Sequence, residues 1–364
     1  MPLSRITPQH YAALLEEKVA AVSALLAPHA PPTPQVYPSA PTAFRMRAEF
    51  RMWHDGDALD YVMFRPGEPQ TPLPVEALPI ACARIQELMP ALRTRLRNEP
   101  VLRGRLFQVE FLSTLAGDTL LTLVYHRALA RDWGAAAQAL ARELGVSIVG
   151  RSRGQKRVVG RDYVCEVLRV AGRDYRYRQY EQAFTQPNAA LNIRMLEWAG
   201  GCAGARTGDL LELYCGNGNF TLPLARYFDR VIATEVSKAS IRAARENLAA
   251  NAIDNVQMIR LSAQEVAQAL AGVRTFRRLA QLPHPLTHYA LRTLFVDPPR
   301  AGLDPHSLTM AAGFDAIIYI SCNPHTLSRD LATLRRTHRI ARLALFDQFP
   351  YTDHMECGVF LMHR

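Results

Sequence analysis

Cys322 stands where an apolar run gives way to a turn, in the segment YISCNPHTL at 319–327. The residues at 316–321 have the composition of a buried strand, and Pro324 suits the first position of a helix. A thiol in front of a helix N-terminus faces the positive end of the helix dipole, which lowers the pKa of the thiol. The pattern therefore predicts a reactive cysteine rather than a core cysteine.

Glu356 is the carboxyl group that could assist such a thiol. It belongs to the segment DHMECG at 353–358, which precedes the last apolar run of the sequence. Its neighbours Met355 and Cys357 give it a partly apolar setting, which raises the pKa of a carboxyl group. A carboxylate with a raised pKa can accept a proton near neutral pH, so Glu356 is the candidate base.

A glycine-rich turn, ELYCGNGNF at 212–220, follows another apolar run. Gly216 and Gly218 allow the backbone to turn tightly and to approach a ligand closely. Glu235 closes the next strand-like run, where a carboxylate can accept the hydroxyl groups of a ribose. Together these residues predict a site for an adenosine-containing cofactor, and both NAD and S-adenosylmethionine fit that description.

Two details favour S-adenosylmethionine over NAD. Thr221 stands where the dinucleotide motif G-x-G-x-x-G has its third glycine. Asp297 follows a later strand in FVDPPRAGLD at 295–304, and an acidic or amide residue before Pro-Pro is typical of methyltransferases that modify planar bases. An NAD-dependent oxidoreductase is the alternative from another enzyme class.

A thiol beside a methyl donor suits the methylation of a pyrimidine at C5. That carbon is a weak nucleophile until a thiolate adds to C6 and makes C5 enolate-like. A base must then remove the C5 proton so that the thiolate can leave. Cys322 would be the nucleophile of this scheme, and Glu356 would be the proton acceptor.

From about residue 205 the sequence alternates between apolar, strand-like runs and helical patterns. The strand-like runs lie at 209–215, 230–236, 256–262, 293–299, 316–322, 341–347 and 357–363. Such alternation predicts a doubly wound parallel sheet, and the short connection before the last run predicts that the last strand is antiparallel. We therefore expect an α/β fold of the S-adenosylmethionine-dependent methyltransferase (Rossmann-like) type, with a seven-strand sheet, in a catalytic domain at 181–364.

Residues 1–180 follow a different pattern. Alternating apolar residues predict two hairpins, at 44–65 and 105–127, and helical patterns lie at 79–97 and 134–144. They indicate an α+β domain that is built on an antiparallel sheet. The proline-rich stretch at 28–41 is predicted to be a linker or an extended arm.

The front domain is also the more basic of the two. It contains 24 Lys and Arg against 17 Asp and Glu, whereas the remainder of the chain contains 19 against 16. Arg45, Arg47 and Arg51 alternate along one predicted strand and so share a face. An excess of arginine on one face predicts an RNA-binding surface.

Composition excludes several other classes of protein. The net charge of +10 at pH 7 suggests a polyanionic partner. No apolar stretch is long enough to cross a membrane and the start lacks a signal-peptide core, so we expect a cytoplasmic protein with no membrane partner. The six cysteines are scattered without a C-x-x-C pair, which argues against a bound metal or an iron–sulfur cluster.

Several segments together resemble the RNA uracil-C5 methyltransferases, and specifically the bacterial tRNA (uracil-5-)-methyltransferase family. They are QPN (186–188), ELYCGNGNF, FVDPPRAGLD, YISCNP and FDQFPYTDHMECGVFL. The resemblance implies transfer of a methyl group from S-adenosylmethionine to C5 of uridine 54 in the T loop of tRNA, which gives ribothymidine. It implies the T arm of tRNA as partner, leaves tRNA-like RNAs open as further substrates, and gives no reason to expect an obligate protein partner.

The same resemblance implies roles for individual residues. Cys322 would be the nucleophile, Glu356 the proton acceptor, and Arg300 would help to hold the uracil or its phosphate. The implied contacts to S-adenosylmethionine are Gln186, Tyr214, Asn219, Glu235 and Asp297. In the front domain, Phe107 would stack on a base of the T loop.

Two alternatives to a tRNA methyltransferase remain besides the oxidoreductase. The 23S ribosomal RNA uracil methyltransferases resemble the same catalytic half, but they usually carry four cysteines for an iron–sulfur cluster. Residues 1–180 hold only Cys82 and Cys165, which favours tRNA as the substrate. A basic RNA-binding protein with an inert methyltransferase half would need neither Cys322 nor Glu356.

Overall fold

The computed structural model describes residues 5–65, 67–204 and 207–364, and these divide into two compact units. The first unit contains residues 40–167 and 178–189, together with a few N-terminal residues. The second contains residues 9–39, 168–177 and 190–364. The N-terminal stretch 9–39 thus groups with the second unit, whereas the sequence suggested one front domain over 1–180.

The helices and strands of the described residues have the following bounds. The helices are α1 (Tyr11–Leu26), α2 (Ala83–Asn98), α3 (Pro100–Arg103), α4 (Trp133–Leu144), α5 (Ala189–Ala203), α6 (Thr221–Leu224), α7 (Lys238–Ala250), α8 (Ala263–Leu270), α9 (Pro305–Ala311) and α10 (Pro324–Leu334). The strands are β1 (Gln35–Tyr37), β2 (Arg47–Asp55), β3 (Ala58–Arg65), β4 (Glu68–Pro74), β5 (Leu106–Ser113), β6 (Thr119–Tyr125), β7 (Ser147–Ser152), β8 (Gln155–Val159), β9 (Tyr163–Val170), β10 (Arg173–Tyr180), β11 (Asp209–Leu213), β12 (Val231–Thr234), β13 (Val256–Ile259), β14 (Leu291–Val296), β15 (Ala316–Ser321), β16 (His338–Phe346) and β17 (Glu356–His363).

The second unit is built on one sheet with the strand order β1-β16-β17-β15-β14-β11-β12-β13. Neighbouring strands are parallel, except that β17 runs antiparallel to both β15 and β16. All residues of β11, β12 and β15 are buried, as expected for strands with helices on both faces. The predicted seven strands and the antiparallel last strand are confirmed.

Strand β1 corrects one prediction from the sequence. The proline-rich stretch at 28–41 was expected to contain no regular element, yet β1 pairs in parallel with β16 and adds an eighth strand at the edge of the sheet. Prolines flank the segment Gln35–Tyr37 without interrupting it, so its backbone groups are free to pair. The Tyr37 ring also stacks on Phe346, with 4.7 Å between the ring centroids.

The edge of this sheet at the C-terminal ends of the parallel strands is defined by helix caps. Ser237, Ser262, Asp304 and Asn323 each follow a strand and accept a hydrogen bond from a backbone N–H in the first turn of the next helix. Each cap makes the chain turn sharply from strand to helix. The residues between strand end and cap are therefore held at this edge, where ligands bind in open α/β sheets.

Helix α1 belongs to the second unit through polar contacts as well as apolar ones. The Tyr11 hydroxyl donates to the Asp347 carboxylate at 2.9 Å, and Lys18 forms an ion pair with the same carboxylate. Asp347 is buried, so these partners compensate for the removal of its charge from water. Val22 and Leu26 of α1 join the apolar cluster that covers this face of the sheet.

The first unit contains a seven-strand sheet with the order β4-β3-β2-β5-β6-β7-β8, antiparallel except between β6 and β7. The two predicted hairpins are β2–β3 and β5–β6. Residues of β2 alternate between buried and exposed, with Ala48, Phe50 and Met52 buried. The other face of β2 is therefore available to solvent.

Among the described residues, no helix has both the length and the apolar character that a membrane crossing requires.

Candidate active site

Cys322 and Glu356 lie side by side at the sheet edge. Ser321 pairs with Cys357 across the antiparallel strands β15 and β17, so the next residues outward on the two strands are Cys322 and Glu356. Ser321 also holds the turn after the strand, since its hydroxyl accepts from the backbone N–H of Asn323 at 3.2 Å. Cys322 is half-buried, whereas Glu356 is only 5% exposed.

The thiol of Cys322 does not have the lowered pKa that its position before a helix suggested. Burial, followed by the carboxyl groups of Glu356 and Asp297, raises the pKa to about 11, against a lowering by the Arg300 guanidinium. The first turn of α10 is capped by Asn323, whose side chain accepts from the N–H of His325. The two carboxyl groups and burial therefore outweigh the helix dipole, and the expectation from the sequence was wrong on this point.

Glu356 has the raised pKa that its apolar flanks predicted. Burial and, to a smaller extent, the Asp297 carboxyl group raise it to about 8. Asp297 follows β14, the strand beside β15, and burial raises its own pKa to about 7. Two acids and a thiol thus meet in a setting that disfavours negative charge on each of them.

The loop that follows Asp297 is held by the first turns of α10. The backbone carbonyl of Arg300 accepts hydrogen bonds from Asn323 Nδ2 at 3.0 Å and from the Thr326 hydroxyl at 3.1 Å. The Arg300 guanidinium is exposed and lies 3.0 Å from Nδ1 of His354. Burial lowers the pKa of His354, and the Arg300 guanidinium lowers it further. The neutral ring can therefore accept this bond.

Asp330 of α10 holds the same loop through hydrogen bonds. It was not predicted from the sequence. Its carboxylate accepts from the N–H of Leu303 at 2.9 Å and from the Tyr319 hydroxyl at 2.7 Å. At Gly302, where φ is +75°, a Cβ would come within 2.7 Å of the same carboxylate. The available signal was an aspartate within the apolar face of α10, between Leu327 and Leu331.

The glycine loop after β11 has three residues with positive φ. They are Tyr214 at +60°, Gly216 at +56° and Gly218 at +88°. A Cβ on Gly216 would meet nothing within 4 Å, whereas a Cβ on Gly218 would lie 2.8 Å from Leu222. Gly216 therefore faces open space where a ligand could lie, and Gly218 is required for packing.

Glu235 is oriented toward this loop by three backbone donors. Its carboxylate accepts from the N–H groups of Gly216 at 3.1 Å and of Val236 and Ser237 at 2.8 Å each. These bonds fix both carboxylate oxygens at the end of β12. A rigid acceptor at this position can bind a ribose hydroxyl group without further rearrangement.

Asn219 is held by a partner that the sequence did not reveal. Its side-chain amide exchanges two hydrogen bonds with that of Asn192, at 2.8 and 3.0 Å, and its backbone carbonyl accepts from the Tyr177 hydroxyl at 3.0 Å. Asn247 donates to the carbonyl of Asn217 at 3.0 Å. The asparagine amides therefore fix the conformation of the glycine loop.

Tyr214 and Gln186 were also predicted to contact the cofactor. Tyr214 is partly buried against the core and lies near Asp304 and Ser307, and burial raises its pKa to about 12. Gln186 lies in the first unit, in the connection between β10 and α5. Within the second unit, the structure brings together Gly216, Glu235 and Asp297 with Cys322 and Glu356.

Glu212 is a further buried acid that sequence reasoning missed. It lies within β11, beneath the glycine loop, and is 0% exposed. Neither of its carboxyl oxygens has a hydrogen-bond partner among the described residues. The signal was an acidic residue inside the apolar run DLLELYC.

The solvent-facing side of β2 and β5 carries an arginine and two rings in contact. The Arg51 guanidinium lies over the Phe107 ring, 3.5 Å from its centroid, and the His126 ring stacks on Phe107 at 3.7 Å. Arg45 and Arg47 instead donate to backbone carbonyls within the first unit. Of the three predicted arginines, Arg51 is the exposed one.

The described residues contain no group of three or more His, Cys, Asp or Glu side chains that could hold a metal ion.

Comparison with known proteins gives consistent matches over the whole chain. The family model described as tRNA (Uracil-5-)-methyltransferase matches residues 10–364. The chain is 57% identical over 364 residues to the tRNA/tmRNA (uracil-C(5))-methyltransferase of Azotobacter vinelandii, covering 100% of both chains. It is 56% identical over 366 residues to the enzyme of the same name from Pseudomonas aeruginosa PAO1, again covering 100% of both.

A solved structure supports the fold. The tRNA (uracil-54, C5)-methyltransferase of Pyrococcus abyssi, in complex with S-adenosyl-L-homocysteine, aligns with a TM-score of 0.74 at 22% identity. The alignment covers 98% of this chain and 85% of the archaeal one. At this level of identity the similarity establishes the methyltransferase fold that the alternation of strands and helices predicted.

Proposed function

The chain belongs to the tRNA (uracil-5-)-methyltransferase family, and from this we propose which uridine it methylates and which residues carry out the reaction. As a member, it is an S-adenosylmethionine-dependent enzyme that methylates uridine in tRNA at C5. We propose that the target is uridine 54 of the T loop and that the product is ribothymidine. The observation that carries the mechanism is the pairing of β15 with β17, which sets Cys322 beside Glu356.

The residues at the sheet edge suit S-adenosylmethionine. Gly216 leaves open space at the glycine loop, Glu235 presents a fixed carboxylate for the ribose, and Asp297 lies at the end of β14. When bound, S-adenosylmethionine supplies an electrophilic methyl group on a positively charged sulfur. Gln186, Tyr214, Gly218 and Asn219 complete the predicted set of contacts, and Gly218 and Asn219 also maintain the shape of the loop.

In the proposed reaction the Cys322 thiolate forms a bond to C6 of the uracil. The electron pair of the C5–C6 double bond moves toward C5 and O4, so that C5 could form a bond to the methyl carbon as the bond between that carbon and sulfur breaks, with its electron pair left on sulfur. The Glu356 carboxylate then removes the C5 proton, the double bond re-forms, and the thiolate is expelled. Glu356 suits this task because its pKa of about 8 allows it to exchange a proton near neutral pH.

Arg300 is proposed to supply positive charge to this reaction. Its guanidinium lowers the pKa of Cys322, in opposition to Glu356 and Asp297. The same cation can stabilise the negative charge that develops on the uracil after the thiolate adds. Its bond to His354 keeps the guanidinium at the loop that precedes Glu356.

The RNA is proposed to be held in part by the first unit. A uridine within a folded T loop must leave its stack before Cys322 can reach C6. Aromatic rings and arginine planes hold splayed bases by stacking, and Phe107, His126 and Arg51 form such a surface. We therefore assign Phe107 and Arg51 to RNA binding, whereas Arg45 and Arg47 support the backbone of this unit.

Replacement of the thiol tests the mechanism. We expect Cys322→Ala to abolish methyl transfer to tRNA from a strain without the modification, while S-adenosylmethionine binding is retained. Cys165→Ala, which removes an exposed cysteine of the first unit, is the matched control and should remain active. Substantial activity of Cys322→Ala would refute the covalent mechanism.

Substitution of the target base tests the site of modification. A T-arm RNA with cytidine at position 54 should not be methylated, whereas changes at other uridines of the loop should leave methylation intact. With 5-fluorouridine at position 54, Cys322 should form a covalent adduct that persists, because fluorine replaces the proton that Glu356 removes. Methylation of the cytidine-54 RNA at another uridine would overturn the assignment to position 54.

A further inference from the structure

The connection between β16 and β17 is a loop of nine residues, 347–355, that leads to the proposed base. Phe346 pairs with Glu356 across the two strands, so the loop begins and ends beside this pair. None of the nine residues belongs to a helix or a strand. Contacts from other parts of the second unit must therefore fix the shape of the loop.

The loop begins at Asp347, a buried carboxylate that is bound by residues of the N-terminal stretch. Its two oxygens accept from the Tyr11 hydroxyl, at 2.9 Å, and from the Lys18 ammonium. Its backbone carbonyl accepts from the Ser39 hydroxyl at 2.7 Å, and the backbone N–H of Ser39 donates to the Tyr11 hydroxyl at 2.8 Å. We call these four residues the Asp347 anchor. The anchor joins the N-terminal stretch to the start of the loop.

A series of hydrogen bonds leads from Lys18 of the anchor to Arg300. The Lys18 ammonium donates to the backbone carbonyl of Phe349 at 3.2 Å, and the Thr352 hydroxyl donates to the same carbonyl at 2.8 Å. The Thr352 hydroxyl accepts from the backbone N–H of His354 at 3.3 Å. The His354 ring accepts from the Arg300 guanidinium at 3.0 Å. The loop thus connects a lysine of α1 to the arginine that follows β14.

Tyr351 shows that the loop is held in one particular conformation. Its φ is +65°, a left-handed conformation that a bulky residue keeps only where its surroundings enforce it. Its ring is buried and packs on the ring of Tyr11, with 5.9 Å between the centroids. The anchor therefore supports the loop by packing as well as by hydrogen bonds.

We propose that the Asp347 anchor positions the Arg300 guanidinium for the addition of Cys322 to the uracil. The proposal rests on the role assigned to Arg300 above. Lys18 and Tyr11 are then positioning residues, which act through His354 rather than on the substrate.

The exposure of Arg300 is the reason that it needs such support. An exposed arginine side chain has many rotamers unless a neighbouring group restricts them. A displacement of about 1 Å is enough to weaken the stabilisation of charge that develops on the uracil. A His354 ring that is fixed by the loop keeps the guanidinium in one place before the RNA binds.

Single-turnover kinetics with a 5-fluorouridine T-arm RNA measure the step concerned, because the covalent adduct forms and then persists. At saturating RNA and S-adenosylmethionine, we expect Lys18→Met to slow adduct formation about tenfold while both dissociation constants stay within about twofold. Lys18→Arg should recover part of the rate because it keeps the positive charge. Tyr11→Phe, which removes one bond to Asp347, should show a smaller loss. Glu17→Met, at an exposed position of the same helix, should match the wild type.

A double-mutant cycle tests the route through His354. In a His354→Ala background, Lys18→Met should cause little further loss of rate, because the connection to Arg300 is already broken. A purely structural role of Lys18 would lower the thermal unfolding temperature and would leave the two losses of rate multiplicative. Multiplicative losses in folded variants would overturn the inference.

Folding of each variant is checked by circular dichroism, because Lys18→Met leaves the buried Asp347 carboxylate with one partner fewer. Should this variant not fold, Lys18→Met combined with Asp347→Asn removes both charges of the pair. The cycle is then measured with this combination and with Tyr11→Phe, which retains the ring that packs on Tyr351.

Arg300→Ala separates this inference from the proposed function. A slow Arg300→Ala variant, together with wild-type rates in the folded Lys18 and Tyr11 variants, overturns the inference alone. A wild-type rate in Arg300→Ala overturns the proposed role of Arg300 and the inference with it.

Discussion

Alkylation of Cys322 by iodoacetamide should accelerate with pH well beyond pH 9. The thiolate is the reactive form, and burial with two neighbouring carboxyl groups raises the pKa of Cys322 to about 11 from an ordinary 9.0. At pH 8 the thiolate fraction is then about 0.1% instead of about 10%. The more basic thiolate is about tenfold more nucleophilic, so the net rate at pH 8 should be about tenfold below that of a free thiol.

The measurement is a pH series on the intact protein. Label on the peptide that contains Cys322 would be quantified by mass spectrometry between pH 7 and 10, with N-acetylcysteine as the reference thiol. Cys322→Ser should lose the label from this peptide alone. Because Cys322 is half-buried, restricted access lowers the rate at every pH, so the shape of the profile is the informative quantity.

Glu356→Gln sharpens the same test. Glu356 raises the pKa of Cys322 when it is ionised, and its own pKa is about 8. The variant should therefore react faster than the wild type above about pH 8 and at a similar rate below it. Glu16→Gln should match the wild type throughout.

A plateau in the wild-type profile below pH 9 would refute the reasoning. It would mean that the helix dipole and Arg300 outweigh burial, and that Cys322 is a thiolate in the free protein. Identical profiles for the wild type and Glu356→Gln would show instead that the carboxyl group is not coupled to the thiol.

Three further predictions concern individual side chains. Glu356→Gln should accumulate methylated RNA covalently attached to the protein, seen as a band of reduced mobility on a denaturing gel, because the C5 proton stays in place; normal turnover would move the base to another residue. Phe107→Ala should weaken tRNA binding by about 1–3 kcal/mol through loss of stacking. Its affinity for S-adenosylmethionine in the same binding assays should be unchanged. An unchanged affinity for tRNA would remove Phe107 from the interface. Asp330→Asn should lower the free energy of unfolding by about 1–3 kcal/mol in denaturant titrations, because Asp330 holds the loop through buried hydrogen bonds; the exposed Asp254→Asn should cost less, and equal effects would contradict this role.

The main elements of the site could be predicted because strand ends in a parallel sheet meet at one edge. Asp297 and Cys322 each follow an apolar run, and the short connection before the last run indicated that β17 returns antiparallel beside β15. That topology is enough to bring Glu356 to Cys322. The glycine loop and Glu235 could likewise be predicted, because they directly follow β11 and β12.

The residues that support the site were not predictable in the same way. Asn192, Asp330 and Glu212 are polar residues inside apolar patterns, where a sequence shows an irregularity but not its partner. Asn192 forms hydrogen bonds with Asn219, which is 27 positions away in the sequence. Asp330 accepts a hydrogen bond from the backbone N–H of Leu303, which is also 27 positions away. Such pairs depend on tertiary packing, which local periodicity does not encode.

The local sequence predicted the wrong direction for the pKa shift of Cys322 for a related reason. The helix N-terminus is a local feature that the sequence shows. The two carboxyl groups that raise the pKa, Asp297 and Glu356, are instead positioned by β14 and β17. Burial is also a property of the folded chain. The direction of a pKa shift therefore needed the charges on β14 and β17 as well as those near the cysteine.

The raised pKa values have a consequence for when the reaction can begin. In the free protein at neutral pH, Cys322 is mainly a thiol, and a large share of Glu356 is protonated, so neither group is in its reactive form. A thiol in this state is also less susceptible to oxidation than a thiolate. Under the proposed mechanism, Cys322 must therefore lose its proton before it can attack C6, and Glu356 must be a carboxylate before it can act as the base.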